Sequence, residues 1–284
     1  HGVDCRLVYV APAPCLSDSA GPPPMAPRLV LDDAVALARQ RIAEAIGSAA
    51  PAELVERLDV RLGRAAVGLR AAAEQVDAPF IVLGGKHHTA LGRTLGGSTA
   101  RDLVRTTDRP VLVVGERAGP VRRVLAAVDL SAASRPTVAA ARRLARAGGA
   151  EPRVMTAVEP VRVPLTIPFA IDEAEIGRRV GAAFDRLERA TGGSPAGEWV
   201  LRHGAAEDAI AAEASAWGAD IVVVGSHGKG WVDRVLIGST TERLLAALPG
   251  GLLVVSTSRR TPPRRLPPKA GVKPRRRAKR RVTA

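Results

Sequence analysis

Short apolar runs alternate with longer amphipathic segments over residues 122–257. Buried parallel strands read as continuous runs of Val, Ile and Leu, whereas amphipathic helices repeat apolar residues every three to four positions. The runs predict strands at 124–128, 154–158, 199–202, 220–225 and 252–255, and the amphipathic segments predict helices at 136–147, 172–190, 207–217 and from 239 onward. Strands alternating with helices in this way indicate the α/β class, with a doubly wound five-stranded parallel sheet of order 3-2-1-4-5.

A shift of 141 residues reveals an internal repeat. It superposes residues 63–114 on residues 204–255 without a gap, so that Gly84 falls on Gly225 and Gly97-Ser98-Thr99 falls on Gly238-Ser239-Thr240. Glycines and hydroxyl residues at fixed spacing rarely align by accident, and self-similarity of this kind marks repeated structural units. We predict two tandem copies of the same α/β unit.

The first copy is predicted to be incomplete. Its strand Arg6–Val10 matches the second strand of the other copy, and nothing corresponds to residues 124–147; the chain also begins with His, which favours a fragment or a misassigned start. The first strand of such a sheet lies in the middle, so its loss leaves backbone groups unpaired. We expect the first copy to be strained or to borrow a strand. The predicted divisions are 1–117, 122–257 and a disordered tail at 258–284.

Composition limits the functional classes. Apolar residues make up 46% of the chain and aromatic residues only 2%, so the cores must consist of Ala, Val, Leu and Ile. No apolar run approaches the roughly 18 residues of a membrane span, and the N-terminus lacks the layout of a signal peptide. Two cysteines, Cys5 and Cys15, argue against a disulfide framework. A cytoplasmic location is expected.

The basic charge is concentrated in the tail. Residues 258–284 carry twelve Lys and Arg and no acid, out of a net charge of +14, and they combine prolines with few apolar residues. Such a segment cannot form a core. It is interpreted as a solubilising extension, as a weak nucleic-acid contact that acts through phosphates, or as a contact with acidic lipid headgroups.

Deletion of residues 258–284 tests the nucleic-acid interpretation. If it is correct, the full chain is retained on immobilised DNA at low salt, retention falls as salt rises, and the shortened chain is not retained. Equal retention of both chains would reject it.

One glycine-rich stretch carries candidate chemistry. Gly225, the last residue of the apolar run IVVVG, begins Gly225-Ser226-His227-Gly228, and nine residues separate Gly228 from Gly238-Ser239-Thr240-Thr241. Ligands bind open α/β sheets at the carboxyl ends of the strands, where glycines let backbone N–H groups approach a phosphate and a helix N-terminus attracts anions. Ser239 followed by Glu242 is also typical of a capping box, which needs no ligand.

This spacing, together with Val128-Asp129 and Ala157-Val158 at strand ends, resembles the ATP-binding signature of universal stress proteins. The resemblance implies an adenine-nucleotide α-hydrolase-like fold that binds ATP, with or without Mg²⁺. It implies that Asp129 contacts adenine, that Ala127, Val128 and Val158 line the adenine pocket, that Gly225, His227 and Gly228 hold ribose and phosphates, and that Gly238, Ser239, Thr240 and Thr241 hold the phosphate tail. It also implies that final strands pair, either Val111–Val114 with Leu252–Val255 within the chain or between chains of a homodimer.

The first copy departs from this pattern. His87 stands where the second loop glycine belongs, and the aspartate-bearing strand is absent. We expect no nucleotide there. Lys86-His87-His88 lacks the supporting Cys or carboxylate of a metal site, so no metal site is predicted.

Motifs for catalysis are missing from the sequence. GxxxxGK[ST], GxSxG and HExxH do not occur, and no GxGxxG follows the first strand of the second copy. The resemblance implies an ATP-binding stress or regulatory module, and the missing motifs predict no catalysis beyond slow ATP hydrolysis. The alternatives are an interaction module that has lost nucleotide binding and a nucleic-acid-associated protein governed by its tail.

Overall fold

The computed structural model describes residues 4–12, 28–47, 50–84, 98–115, 119–131, 134–159, 173–191, 197–226, 238–247 and 250–257. The predicted site residues His227 and Gly228 and the basic tail lie outside these ranges, as do Lys86, His87 and His88.

The first copy supplies four strands and four helices to the described chain. In order they are β1 (Val8–Ala11), α1 (Arg28–Ile46), α2 (Ala52–Glu56), β2 (Asp59–Leu62), α3 (Ala65–Gln75), β3 (Ile81–Gly84), α4 (Ser98–Thr106) and β4 (Val111–Val114).

The second copy alternates five strands with four helices, as its hydrophobic pattern predicts. They are β5 (Arg123–Ala127), α5 (Ser134–Gly148), β6 (Glu151–Val158), α6 (Glu173–Ala190), β7 (Glu198–His203), α7 (Ala206–Trp217), β8 (Ile221–Gly225), α8 (Ser239–Ala247) and β9 (Gly251–Val255). Within the described ranges, no helix combines the length and the apolar character needed to cross a bilayer.

A seven-stranded sheet forms the centre of the molecule, in the order β3-β4-β9-β8-β5-β6-β7. The five strands of the second copy are mutually parallel and stand in the predicted order 3-2-1-4-5. β5 lies in the middle, and its residues Val124, Leu125 and Ala126 are completely buried. Apolar residues pack on both faces of the sheet, which explains why the strands read as uninterrupted apolar runs.

The two copies are joined by their last strands. β4 pairs with β9 antiparallel, with Val111 opposite Val254, Leu112 opposite Leu253 and Val113 opposite Leu252. The prediction of an intramolecular pairing is confirmed. Leu112 and Leu253 are equivalent under the 141-residue shift, so a local pseudo-two-fold axis passes between them.

The first copy's sheet is divided at the position of its missing strand. β1 pairs with β2 in a separate two-stranded sheet, whereas β3 pairs with β4 in the large sheet. In the second copy, β5 fills the equivalent gap by pairing with both β8 and β6. Among the described residues no strand of this chain fills the first copy's gap, and a strand borrowed from another molecule stays a prediction.

Equivalent side chains show the consequence for burial. Val82 of β3 is 53% exposed, whereas Val223 at the equivalent position of β8 is 0% exposed. Phe80 is 44% exposed and its equivalent Ile221 is 6% exposed. In the second copy α5 covers this face with Val138 and other small apolar residues. The first copy therefore leaves apolar surface uncovered where the strand and helix are missing.

Amide hydrogen exchange should report the open gap directly. Backbone N–H groups of β3 that face away from β4 are expected to exchange at least about tenfold faster than their equivalents in β8, because water reaches them without unfolding. Equal protection in both strands would contradict a divided first sheet.

One glycine of each copy shows that the repeat extends to backbone conformation. Gly63 follows β2 with φ 125°, and its equivalent Gly204 follows β7 with φ 127°. Residues with a side chain rarely adopt this conformation. The shared glycine thus preserves the same turn at the end of the third strand of each unit.

Candidate functional site

A tight turn after β5 places Asp129 at the carboxyl edge of the sheet. Val128 remains tied to the neighbouring strand, since its N–H donates to the Met155 carbonyl at 2.9 Å. One oxygen of Asp129, Oδ1, accepts bonds from Ser131 N–H at 3.0 Å, from Ser131 Oγ at 2.7 Å and from Ser134 Oγ at 2.8 Å. Leu130 between them has φ 59°, a strained value for a branched residue. The turn is held firmly by its own aspartate.

The second wall of the site is the junction between β8 and α8. Ser226 N–H donates to the Val255 carbonyl at 2.8 Å, and Gly238 N–H donates to the Ser226 carbonyl at 3.0 Å. Thr241 Oγ1 donates to the Gly225 carbonyl at 2.9 Å. These bonds bring the start of α8 against the end of β8, although 11 residues of the connecting segment lie outside the described chain.

The hydrogen bonding at the start of α8 differs from that of a capping box. The first helical bond runs from Glu242 N–H to the Gly238 carbonyl at 3.0 Å, so Gly238 is the N-cap and Glu242 is the fourth helical residue. A capping box would place the glutamate third, after a Ser N-cap. With a glycine N-cap, the first N–H groups of α8 are not satisfied by an N-cap side chain and are available to an anion.

A cavity of about 220 Å³ lies between these two walls. It opens at the carboxyl ends of β5, β6 and β8, the edge at which open α/β sheets bind ligands. Its volume is somewhat below the roughly 300–1,000 Å³ of typical small-molecule sites. The residues that line it are Ala127, Val128, Asp129, Ser134, Thr137, Met155, Ala157, Ala206, Ile210, Val224, Gly225, Gly238, Ser239, Thr240 and Thr241.

Eight of the predicted site residues therefore meet at one cavity. They are Ala127, Val128, Asp129, Gly225, Gly238, Ser239, Thr240 and Thr241. Val158 is not among the described residues that line the cavity, where Ala157 and Met155 take that place. Successive side chains of a strand point to opposite faces, and Thr156, which shares Val158's face, instead donates to the Val128 carbonyl at 2.8 Å.

Residues from helices complete the lining and were not predicted. Ser134 and Thr137 come from the first turn of α5, and Ala206 and Ile210 come from the start of α7. Their only sequence signal is a position within the first five residues of a helix that follows a strand. Across the described chain, no group of three or more His, Cys, Asp or Glu side chains is arranged to hold a metal ion.

Comparison with known proteins identifies the same family in both copies. The model of the universal stress protein family matches residues 1–115 and again residues 120–256. A curated protein of Thermus aquaticus, named as a universal stress protein in the QAH/OAS sulfhydrylase 3′ region, is 33% identical over 135 residues, which cover 47% of this chain and 98% of that protein.

Two solved structures of similar fold align with most of the chain. A universal stress protein from Archaeoglobus fulgidus aligns with a TM-score of 0.62 and 19% identity, covering 88% of this chain and 86% of its own. A structure titled as a putative universal stress protein from Pseudomonas aeruginosa aligns with a TM-score of 0.58 and 18% identity, covering 88% and 92%. At these identities the likeness concerns the fold.

Proposed function

Because this chain belongs to the universal stress protein family and contains two tandem copies of the family's domain, we propose that its second domain binds ATP and acts as a nucleotide-responsive module in the stress response. We place this activity in the cytoplasm. Binding, rather than turnover of ATP, is the proposed function, and occupancy of the site is the signal.

The observation that carries the proposal is the cavity between Asp129 and the start of α8. Its lining includes apolar side chains such as Val128 and Ile210, which suit a planar base, together with glycines, hydroxyl side chains and the first residues of α8. Apolar surface next to anion-binding N–H groups matches the two halves of a nucleotide. An entirely apolar ligand would leave the N–H groups and hydroxyls of the cavity without a partner.

The residues present suit ATP better than a protein-bound metal centre. Asp129 is the one carboxylate among the described lining residues, and its Oδ1 already holds the turn after β5. Mg²⁺ prefers several oxygen ligands and keeps waters when it accompanies phosphates. Any Mg²⁺ would thus arrive with the polyphosphate and be held mainly by phosphate oxygens.

A charge placed at the start of α8 tests ATP binding without loss of the fold. Ser239 is an exposed first residue of α8, and an acidic residue in the first turn of a helix stabilises it by about 0.3–1 kcal/mol. Ser239→Asp should therefore leave the melting temperature unchanged or raised, while repulsion weakens ATP binding by about tenfold or more. Isothermal titration calorimetry with ATP, with and without Mg²⁺, measures this.

The first copy offers the matched control. Ser98 is the equivalent first residue of α4, so Ser98→Asp makes the same chemical change where no nucleotide is expected. ATP affinity should fall much less in Ser98→Asp than in Ser239→Asp, because the new charge lies in the other copy. If wild-type protein binds no ATP, and mass spectrometry finds no nucleotide released from purified, denatured protein, the domain is an interaction module of the same fold, which is the alternative function.

A further inference from the structure

An ion pair connects the two copies beside the proposed phosphate site. Arg101 of α4 and Glu242 of α8 approach to 3.5 Å between Nη1 and Oε1, and both side chains are about half exposed. The two positions are equivalent under the 141-residue shift. They face each other because the antiparallel β4–β9 pair creates the pseudo-two-fold axis that passes between Leu112 and Leu253.

Glu242 is unfavourably placed for an anion site. It follows Thr241, which lines the cavity, and it is the fourth residue of α8. Its negative charge partly cancels the positive potential at the start of α8, which attracts a phosphate. The repulsion between Glu242 and a bound phosphate grows with the number of charges on the ligand. Neutralisation of Glu242 would therefore strengthen polyphosphate binding.

We propose that Arg101 of the first domain is a positioning residue for the second domain's nucleotide site, which it supports by neutralising Glu242. The inference rests on the proposed ATP binding. A dimer of identical domains could not form this arrangement, because an isologous dimer presents the same residue on both sides of its two-fold axis, where glutamate would face glutamate; the tandem chain, with two different domains, can. The first domain, although it has lost its own aspartate-bearing strand, thus contributes an opposite charge to the site of its neighbour.

Arginine deletion should weaken ATP binding in a glutamate-dependent way. In low-salt buffer, Arg101→Ala is expected to reduce the ATP affinity of the full chain about three- to tenfold, and the loss should shrink at high salt. In a Glu242→Gln background, the same change should alter affinity less than about twofold, since no charge remains to neutralise. Calorimetric titration with ATP and with ADP measures both effects, and ADP, with fewer charges, should respond less.

Arg105→Ala is the matched control. Arg105 lies one turn further along the same helix, and its replacement by alanine removes the same charge. It should change ATP affinity less than about twofold. The proposal is overturned if Arg101→Ala behaves like Arg105→Ala, or if its loss persists unchanged in the Glu242→Gln background. Absence of ATP binding by the wild-type chain would instead reject the proposed function itself, so the two failures are distinguishable.

Discussion

Replacement of Glu213 with alanine is expected to lower the free energy of unfolding by about 3 kcal/mol or more. Glu213 of α7 is a buried carboxylate whose side chain is 2% exposed. Its Oε1 accepts a bond from Arg153 Nη1 of β6 at 2.7 Å, and its Oε2 accepts bonds from Arg202 of β7 at 2.7 and 2.6 Å. The carboxylate therefore fastens one helix to two neighbouring strands.

The size of this effect comes from what remains after the carboxylate is removed. Arg153 is 16% exposed and lies over the Trp217 ring at 4.3 Å, so it cannot easily move its charge into water. Without Glu213, Arg153 keeps its contact with the exposed carboxylate of Glu198 but loses its buried partner. Loss of a buried partner from a buried charge is strongly destabilising, whereas replacement of a whole pair by apolar residues is much milder. Urea denaturation of Glu213→Ala, and of Glu213→Leu combined with Arg153→Met, should show the double variant to be the more stable.

Glu175 provides a control for the loss of a carboxylate. It lies in α6 and pairs with Arg178 at 2.7 Å and Arg179 at 2.6 Å, and hydrogen bonds from Arg179 and then Arg178 lower the pKa of its carboxyl. Exposed pairs of this kind contribute little, so Glu175→Ala should leave the urea midpoint unchanged. A Glu213→Ala midpoint equal to that of Glu175→Ala would contradict the assigned role.

Valine truncation at two equivalent positions should give very different results. Val223→Ala is expected to cost about 2–3 kcal/mol, because Val223 is 0% exposed and its loss leaves a cavity between sheet and helix. Val82→Ala should cost less than about 0.5 kcal/mol, because Val82 is 53% exposed. The loss in Val223→Ala can be measured by urea unfolding monitored by tryptophan fluorescence, since Trp199 and Trp217 lie in the second copy.

The Val82 variant needs a local probe in addition. Hydrogen exchange of β3 and β4 reports the stability of this part of the sheet, even where the global transition does not. A large loss of protection in Val82→Ala would mean that Val82 is covered in solution and that the gap in the first copy is filled.

The helices and strands of the second copy were predictable because the residues that are apolar in the sequence are the ones that are buried in the structure. β8 is a run of five apolar or glycine residues bounded by a turn at each end, and its observed range Ile221–Gly225 differs by one residue from the predicted one. α5 begins two residues before the predicted start, because Ser134 rather than Pro136 opens the helix. Boundaries of this kind depend on capping bonds, which the hydrophobic pattern does not contain.

The candidate site was predictable only where it is made of backbone and turns. Gly225, Gly238 and Asp129 could be predicted from residue type and spacing, since glycines before a helix and an aspartate after a strand are typical of a phosphate-binding site. Thr137 and Ile210 reach the same cavity from α5 and α7, and nothing in a helical pattern distinguishes a residue that faces a cavity from one that faces a core. Their contribution is a consequence of packing.

Charge pairs were the least predictable feature. Arg153 and Glu213 are 60 residues apart in the sequence, and either one alone reads as a solvated surface residue. Arg101 and Glu242 become neighbours only through the junction of the two copies. The division of the first sheet was anticipated in part, because a missing central strand must leave its neighbours without partners.

The antiparallel junction also determines how this molecule can associate with others. An exposed strand edge is a template for pairing with another chain, and β9 would present such an edge if β4 did not occupy it. In the tandem chain, β4 thus occupies the edge of β9 through which a single domain could pair with a second molecule. Any larger assembly must therefore be built on a different surface, and stoichiometry at this edge is fixed by covalent linkage rather than by concentration.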